Sequence, residues 1–264
     1  MSSPHHPPPP PSIHVLKDEQ AVSSSLADLV AEASAAAIKK HDRFIVGITG
    51  GNLPQILGET LKSRTDIEWE KWHVFFVDER VAIVEQDPAS VLNLSLSSLF
   101  NHVSVPESHI HKVNSTLASD PEEMADDYIQ QMIGVFTTIH KGDSVRFPVF
   151  DLILLGIGPD GHIASLFPGH PLLSEDQEWC CAIVDSPKPP LQRVTMTLPV
   201  INHAHHVAFV VTGSELADIV HQTLDEEEPP LPCRMVRPSA GRVTWLLDEK
   251  AASHLKRKAT THSA

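Results

Sequence analysis

Two hydrophobic patterns alternate along the chain, and together they predict its architecture. Short continuous apolar runs are typical of strands that are buried on both faces of a parallel sheet. They occur at 44–48, 72–77, 152–155, 207–211 and 243–247. Longer stretches with apolar residues every three or four positions predict amphipathic helices, as at 18–41 and 121–139. This alternation predicts an α/β fold, a mostly parallel sheet with helices on both faces.

The same pattern predicts one domain, over residues 13–255, between two disordered tails. Residues 1–12 contain five consecutive prolines, which exclude a helix or a central strand and predict a disordered or polyproline II segment. Residues 256–264 are short and polar and predict the second tail. No internal repeat or long linker divides the chain.

Composition and charge argue against several classes of function. The formal net charge of -14 argues against binding to nucleic acid or to an anionic membrane surface. Cys180, Cys181 and Cys233 form no C-x-x-C pair, so we expect no disulfide framework and a reducing, cytoplasmic location. The histidines within 203–206 have no carboxylate or cysteine beside them, so we expect no metal site. We also expect no apolar stretch near the roughly 20 residues that span a bilayer, and no signal peptide.

The loop after the apolar run LILL carries the strongest candidate chemistry. Gly158 and Gly161 let the backbone pass close to a ligand, and Asp160 and His162 lie in the same loop. Ligands bind at the carboxyl ends of strands in open α/β sheets, so an acid and an imidazole here indicate proton transfer. The alternative is that Asp160 only caps the next turn and that His162, one of 17 histidines in the chain, has no role in catalysis. Its position in a glycine-rich loop favours catalysis.

Two other strand ends carry candidate binding residues. Gly50, Gly51 and Asn52 join a strand to a helix, an arrangement whose backbone N–H groups can bind a phosphate. The turn matches neither of the glycine patterns of nucleotide-binding loops. Three successive charged residues at 78–80 indicate either the edge of a site or a solvated loop with a local ion pair.

Six segments of the chain together resemble the 6-phosphogluconolactonase family, of the glucosamine-6-phosphate isomerase/deaminase-like superfamily. They follow the family's order over about residues 13–255, and are TGGNLP (49–54), FFVDER (75–80), DLILLGIGPDGHIASLFPGHP (151–171), RVTMTLP (193–199), VTGS (211–214) and VTWLLDEKAA (243–252). The resemblance implies a modified Rossmann-type, NagB/RpiA-like α/β fold. It also implies hydrolysis of 6-phospho-D-glucono-1,5-lactone to 6-phosphogluconate in the oxidative pentose phosphate pathway.

A δ-lactone is already reactive, so we expect no metal, no cofactor and no covalent nucleophile. His162 is the expected general base, with Asp160 or Asp78 holding its tautomer. Arg80 or loop N–H groups would stabilise the oxyanion. The residues expected to bind the substrate are Gly50, Gly51, Asn52, Arg193, Gly158 and Gly161. Of these, Arg193 is expected to hold the 6-phosphate as a bidentate cation.

Two positions depart from the family pattern and leave an alternative open. Asn52-Leu53 stand where the family usually has Ser-Thr, and Leu216 stands where it commonly has Lys. The alternative is therefore a non-catalytic or drifted homologue that binds a sugar phosphate. A sugar-phosphate isomerase/deaminase is a second rival, but its branch has Glu where this chain has Phe167. A generic esterase would need a G-x-S-x-G elbow, which the chain lacks. We expect a monomer whose partner is a small-molecule sugar-phosphate lactone.

Overall fold

A parallel sheet of seven strands lies at the centre of the structure, a computed structural model that describes residues 9–81, 87–88, 90–139 and 146–257. In spatial order the strands are β1 (Ser12–Leu16), β10 (Arg242–Asp248), β9 (His206–Val211), β6 (Leu152–Leu155), β2 (Phe44–Ile48), β3 (Trp72–Phe76) and β5 (Ile110–His111). Each neighbouring pair is parallel. Parallel strands need crossover connections, which helices between successive strands provide. The predicted α/β class with a mostly parallel sheet is confirmed.

Six α-helices lie within the described residues. They are α1 (Glu19–His41), α2 (Leu53–Leu61), α3 (Val91–Ser98), α4 (Pro121–Ile139), α5 (Leu198–Ile201) and α6 (Ala217–Asp225). Every residue of the central strands β2, β6 and β9 is buried, as the continuous apolar runs predicted. The core of the protein therefore lies along the middle of the sheet.

The first helix corrects one expectation from the sequence. α1 is long and apolar enough to span a bilayer by length and composition, although no such stretch was expected. Its side chains Val22, Leu26 and Val30 are fully buried in the core, and the helix contacts α2 and β10. A helix that covers a sheet can be as long and as apolar as a helix that spans a membrane. The burial assigns α1 to the core of the domain.

A second, antiparallel sheet of three strands was not predicted. Its order is β4 (Asp78–Arg80), β8 (Arg193–Met196) and β7 (Cys180–Ile183). β4 begins two residues after β3 ends, and it places Asp78 opposite Thr195 and Arg80 opposite Arg193. The small sheet therefore brings charged residues from two distant segments beside each other.

Residues at both predicted boundaries of the domain take part in its structure. Ser12, expected in the first tail, lies in β1 and pairs with Thr244. At the other end, the backbone N–H groups of Lys256 and Arg257 donate to the carboxylate of Asp225 at 2.7 and 3.0 Å, which corrects their assignment to the second tail. Residues 250–254 form a series of turns. Residues 9–11 of the predicted first tail have no regular secondary structure, and residues 1–8 and 258–264 lie outside the described residues.

Candidate active site

Three loops are joined by hydrogen bonds at the carboxyl ends of β2, β6 and β9. The hydroxyl of Thr49, after β2, accepts the N–H of Gly156, after β6, at 3.0 Å. The side-chain amide of Asn52 donates to the hydroxyl of Thr212, after β9, at 3.2 Å. Because the three strands are parallel neighbours, their carboxyl ends meet at one edge of the sheet. The predicted phosphate turn and the predicted proton-transfer loop therefore lie side by side.

The loop after β6 holds an imidazole against a carboxylate. Nδ1 of His162 lies 2.5 Å from Oδ1 of Asp160. An ionised carboxylate only accepts hydrogen bonds, so Nδ1 donates and Nε2 keeps a lone pair. The ring lies against Gly158, where a Cβ atom would be 2.0 Å from both Nδ1 and Cε1 of His162. Gly161 has φ of +83°, in the left-handed region. The position of the ring therefore requires glycine at 158, and the backbone conformation favours glycine at 161.

The surroundings of the pair favour the deprotonated form of both members at neutral pH. Burial lowers the pKa of His162, although the hydrogen bond to Asp160 opposes this change. Burial alone would raise the pKa of Asp160, but hydrogen bonds from His162 and Lys188 outweigh it and lower the pKa to about 2. At neutral pH the imidazole is uncharged and the carboxylate is ionised. This is the state that a general base requires.

Lys188 is a third member of the group, and nothing in the sequence pointed to it. Its Nζ atom lies 3.1 Å from Oδ1 of Asp160 and 3.3 Å from Nδ1 of His162. Lys188 lies in the proline-rich segment 187–190. Lys188 is 26 residues from His162, so no local spacing connects the two.

Arg193 is placed differently from its predicted role. Its guanidinium donates from Nε to the carbonyl of Pro190 at 3.1 Å, and from Nη2 to the carbonyls of Lys188 and Pro189 at 3.1 and 3.2 Å. Nη1 donates to Oγ of Ser165 at 3.4 Å. A guanidinium has five N–H donors, and these four bonds leave too few for bidentate binding of a phosphate. The geometry supports Arg193 as the anchor of the 188–190 loop.

Asp78 lies near this group but does not contact the imidazole. It is buried, and its Oδ2 accepts the hydroxyl of Ser165 at 2.7 Å. Burial raises the pKa of Asp78, while the bond from Ser165 and the charge of Arg193 lower it. Of the two carboxylates expected to hold the tautomer of His162, the structure brings only Asp160 to the ring. Ser165 was not expected to take part.

Residues 78–80 form the strand β4 and not a solvated loop. The buried carboxylate of Glu79 accepts the backbone N–H groups of Arg80, Val91 and Leu92 at 2.9, 3.0 and 2.9 Å, so it caps the start of α3. The side chain of Arg80 has no hydrogen-bond or ion-pair partner within 9–81, 87–88, 90–139 and 146–257.

The predicted phosphate turn precedes α2. Gly51 is exposed with φ of +73°, where an L side chain is strained. Leu53 is fully buried, and Leu216 packs against the core, so both departures from the family pattern serve packing. In the described part of the chain, no group of three or more His, Cys, Asp or Glu side chains is arranged to hold a metal ion. Metal-free chemistry remains a prediction.

The class of protein follows from comparison with known families. The family model for glucosamine-6-phosphate isomerases/6-phosphogluconolactonase matches residues 17–245, which is most of the chain. The chain therefore belongs to this family, and the resemblance seen in its motifs is confirmed.

Several similar proteins within the family are named 6-phosphogluconolactonase. A probable 6-phosphogluconolactonase of Schizosaccharomyces pombe is 38% identical over 251 residues, covering 93% of this chain and 96% of the relative. The 6-phosphogluconolactonase of Rattus norvegicus is 40% identical over 257 residues, covering 95% and 96%. Among solved structures, 6-phosphogluconolactonase from Trypanosoma cruzi superposes with a TM-score of 0.81 at 26% identity, covering 96% of this chain and 100% of the other.

Proposed function

We propose that the protein hydrolyses 6-phospho-D-glucono-1,5-lactone to 6-phosphogluconate, in the oxidative pentose phosphate pathway. The observation that carries the proposal is the neutral imidazole of His162, hydrogen-bonded through Nδ1 to Asp160 in a loop at the carboxyl edge of the sheet. The similarity to proteins named 6-phosphogluconolactonase supports the choice of substrate.

His162 acts on water in this mechanism. Nε2 takes a proton as the water oxygen attacks C1 of the lactone, while Asp160 stabilises the imidazolium that forms. The carbonyl electrons move to oxygen and give a tetrahedral oxyanion, which Arg80 stabilises. The oxyanion then collapses, the bond from C1 to the ring oxygen breaks, and His162 returns the proton to that oxygen. The imidazole is neutral again, and no covalent intermediate on the protein is needed.

The phosphate of the substrate lies at the turn after β2. The backbone N–H groups of Gly50, Gly51 and Asn52 precede α2, where the partial positive charge of a helix start favours an anion. Gly158 and Gly161 shape the loop that approaches the sugar ring. We place the enzyme in the cytoplasm, as a monomer that needs no cofactor.

Turnover of the lactone tests the proposal directly. Hydrolysis of freshly generated 6-phosphogluconolactone is measured above its spontaneous rate for the wild type, His162→Ala and the control His254→Ala. His254 is exposed and pairs with Asp218 on the surface. We expect fast turnover by the wild type and the control, and a loss of about 10²- to 10⁴-fold in His162→Ala. No acceleration by the folded wild type would contradict the proposal and favour a sugar-phosphate-binding homologue.

The isomerase/deaminase rival is disfavoured at one position. Phe167 is buried, and its ring centroid lies 4.8 Å from that of His162. An apolar ring occupies the place where that branch of the superfamily is expected to move a proton with Glu. We therefore expect no conversion of glucosamine 6-phosphate, measured as release of ammonia, under conditions in which the lactone is hydrolysed.

A further inference from the structure

Lys188 places a positive charge beside the proposed catalytic base. Its ammonium lies 3.1 Å from the carboxylate of Asp160 and 3.3 Å from Nδ1 of His162. An ammonium only donates hydrogen bonds, and Nδ1 already donates to Asp160. Oδ1 of Asp160 therefore accepts from both neighbours, and Lys188 acts on the ring through the carboxylate and through its charge.

The backbone around Lys188 is held in place from two sides. Arg193, only 7% exposed, donates to the carbonyls of Lys188, Pro189 and Pro190. The hydroxyl of buried Ser186 donates to the carbonyl of Lys188 at 2.8 Å and lies 3.3 Å from its N–H. Several hydrogen bonds that include a buried guanidinium fix the start of this side chain. The contact with Asp160 holds the ammonium at the other end of the side chain.

We propose that Lys188 is a positioning residue of the lactonase: from a loop anchored by Arg193 and Ser186, its ammonium holds Asp160 against Nδ1 of His162 and opposes protonation of the ring. The inference rests on the proposed function, because the base must stay uncharged to accept a proton from water. No contact of Lys188 with the reacting atoms is required.

The charged groups around His162 determine whether loss of Lys188 favours or opposes protonation of the ring. Asp160 contacts the ring and buried Asp78 lies farther away, and both favour the imidazolium. Lys188 opposes them, and it also lowers the pKa of Asp160 together with His162. Replacing Lys188 with a neutral side chain removes the opposing charge. The ring should then protonate at higher pH, and activity should be lost at mildly acidic pH.

The pH profile of kcat/KM tests this role in five proteins. They are the wild type, the neutral variants Lys188→Met and Lys188→Gln, the variant Lys188→Arg, and the control Lys39→Met, whose side chain is exposed on α1. In Lys188→Met we expect the acidic limb to move up by about one pH unit, as expected for one partly solvated charge. We expect Lys188→Arg to return the limb to near its wild-type position, and Lys39→Met to leave it unchanged. Lys188 is 38% exposed, so its loss should not prevent folding, and Lys188→Gln provides a second neutral variant.

An unmoved limb in both neutral variants would overturn the proposal. A rise in KM with an unmoved limb would show instead that Lys188 binds the phosphate of the substrate. A fall in kcat that Lys188→Arg does not restore, again with an unmoved limb, would leave only a structural role for the loop.

A second readout does not depend on turnover. The ring protons of His162, assigned by comparison with His162→Asn, are titrated by NMR in the wild type and in Lys188→Met. A higher midpoint in Lys188→Met supports the electrostatic role even if the wild type hydrolyses no lactone, in which case only the proposed function fails. An equal midpoint contradicts the role of Lys188 whether or not the lactone is a substrate.

Discussion

Two groups of histidines in this protein differ in what surrounds them. In the loop after β6, His162 has a carboxylate 2.5 Å from Nδ1, and 19% of its side chain is exposed. At the edge of the sheet, His73, His109 and His111 stack on one another, with ring centroids 4.1 Å apart for His73 and His109 and 5.4 Å for His73 and His111. Nδ1 of His73 lies 3.1 Å from Nε2 of His111. One group pairs an imidazole with an acid, and the other pairs imidazoles with each other.

The difference shows what an imidazole needs in order to act as a base. Burial, followed by the neighbouring imidazoles, lowers the pKa of His73 and of His111 to about 4. His111 also stacks on Phe75 at 4.2 Å, so this group behaves as part of the apolar packing. The ring of His162 is neutral as well, but Asp160 can stabilise the imidazolium when it forms. A carboxylate partner and access to water, more than neutrality, distinguish the proposed base.

Removing the charge of the partner should have the largest effect. In Asp160→Asn a neutral amide replaces the carboxylate, so it no longer stabilises the imidazolium or selects the tautomer with Nδ1–H. We expect kcat to fall by about 10²-fold or more, with little change in the free energy of unfolding because the site is partly exposed. Steady-state hydrolysis and urea unfolding measure the two quantities. Activity within threefold of the wild type would show that Asp160 is not needed.

A smaller effect is expected from the histidine stack, and it concerns stability. The folded pKa values of His73 and His111, about 4, lie below the unfolded value of about 6.5. The unfolded chain therefore binds more protons between these values, so stability is present above pH 6.5 and is lost as pH falls towards 4. Because solvent reaches part of both rings, we expect a moderate effect: these two histidines should lower the free energy of unfolding by on the order of 2 kcal/mol from pH 7 to pH 5.

Replacing both rings should remove this pH dependence. In the double variant His73→Phe/His111→Phe, the free energy of unfolding should change less between pH 7 and pH 5 than in the wild type. Urea unfolding at pH 5, 6 and 7 provides the comparison, and the readout is the slope with pH, because the new rings also alter packing. The control is His162→Phe, which should keep most of the wild-type slope. Parallel slopes in the double variant and the wild type would contradict the assignment.

The smallest effect is expected at His109. Its Nδ1 atom is buried and has no hydrogen-bond partner in the described part of the chain. His109→Phe removes this unpaired polar atom and keeps an aromatic ring against His73. We expect the unfolding free energy at pH 7 to change by less than about 1 kcal/mol, in the stabilising direction. A thermal melt of the variant checks this, and a clearly lower Tm would show that the Nδ1 atom has a stabilising partner.

The sequence predicted the features that depend on neighbours along the chain. The apolar runs of β2, β6 and β9 predicted buried strands because a strand in the middle of a parallel sheet is covered on both faces. Asp160 and His162 are two residues apart in a glycine-rich loop, so their pairing is a local property. The same reasoning did not predict the antiparallel sheet, because its strands are short and pair with distant segments.

Residues far apart in the sequence were predicted least well. Ser165 bonds Asp78 across 87 residues, and Lys188 reaches His162 across 26. Arg193 was interpreted as a phosphate ligand because a guanidinium suits that role, but its hydrogen bonds go to the carbonyls of the loop that carries Lys188. Residue type indicates what a side chain can bind. It does not indicate which partner is close.

By itself, the sequence determined the α/β class, the order of the central strands along the chain and the loop that carries the imidazole and its carboxylate. These follow from hydrophobic spacing and from backbone conformations that only glycine adopts easily. The tertiary structure decided which of two carboxylates meets His162, which cation stands beside the pair and what Arg193 holds. Those contacts arise where separate crossover connections return the chain to one edge of the sheet. The distances between the contacting side chains depend on how the elements pack in the folded protein, and not on their spacing in the sequence.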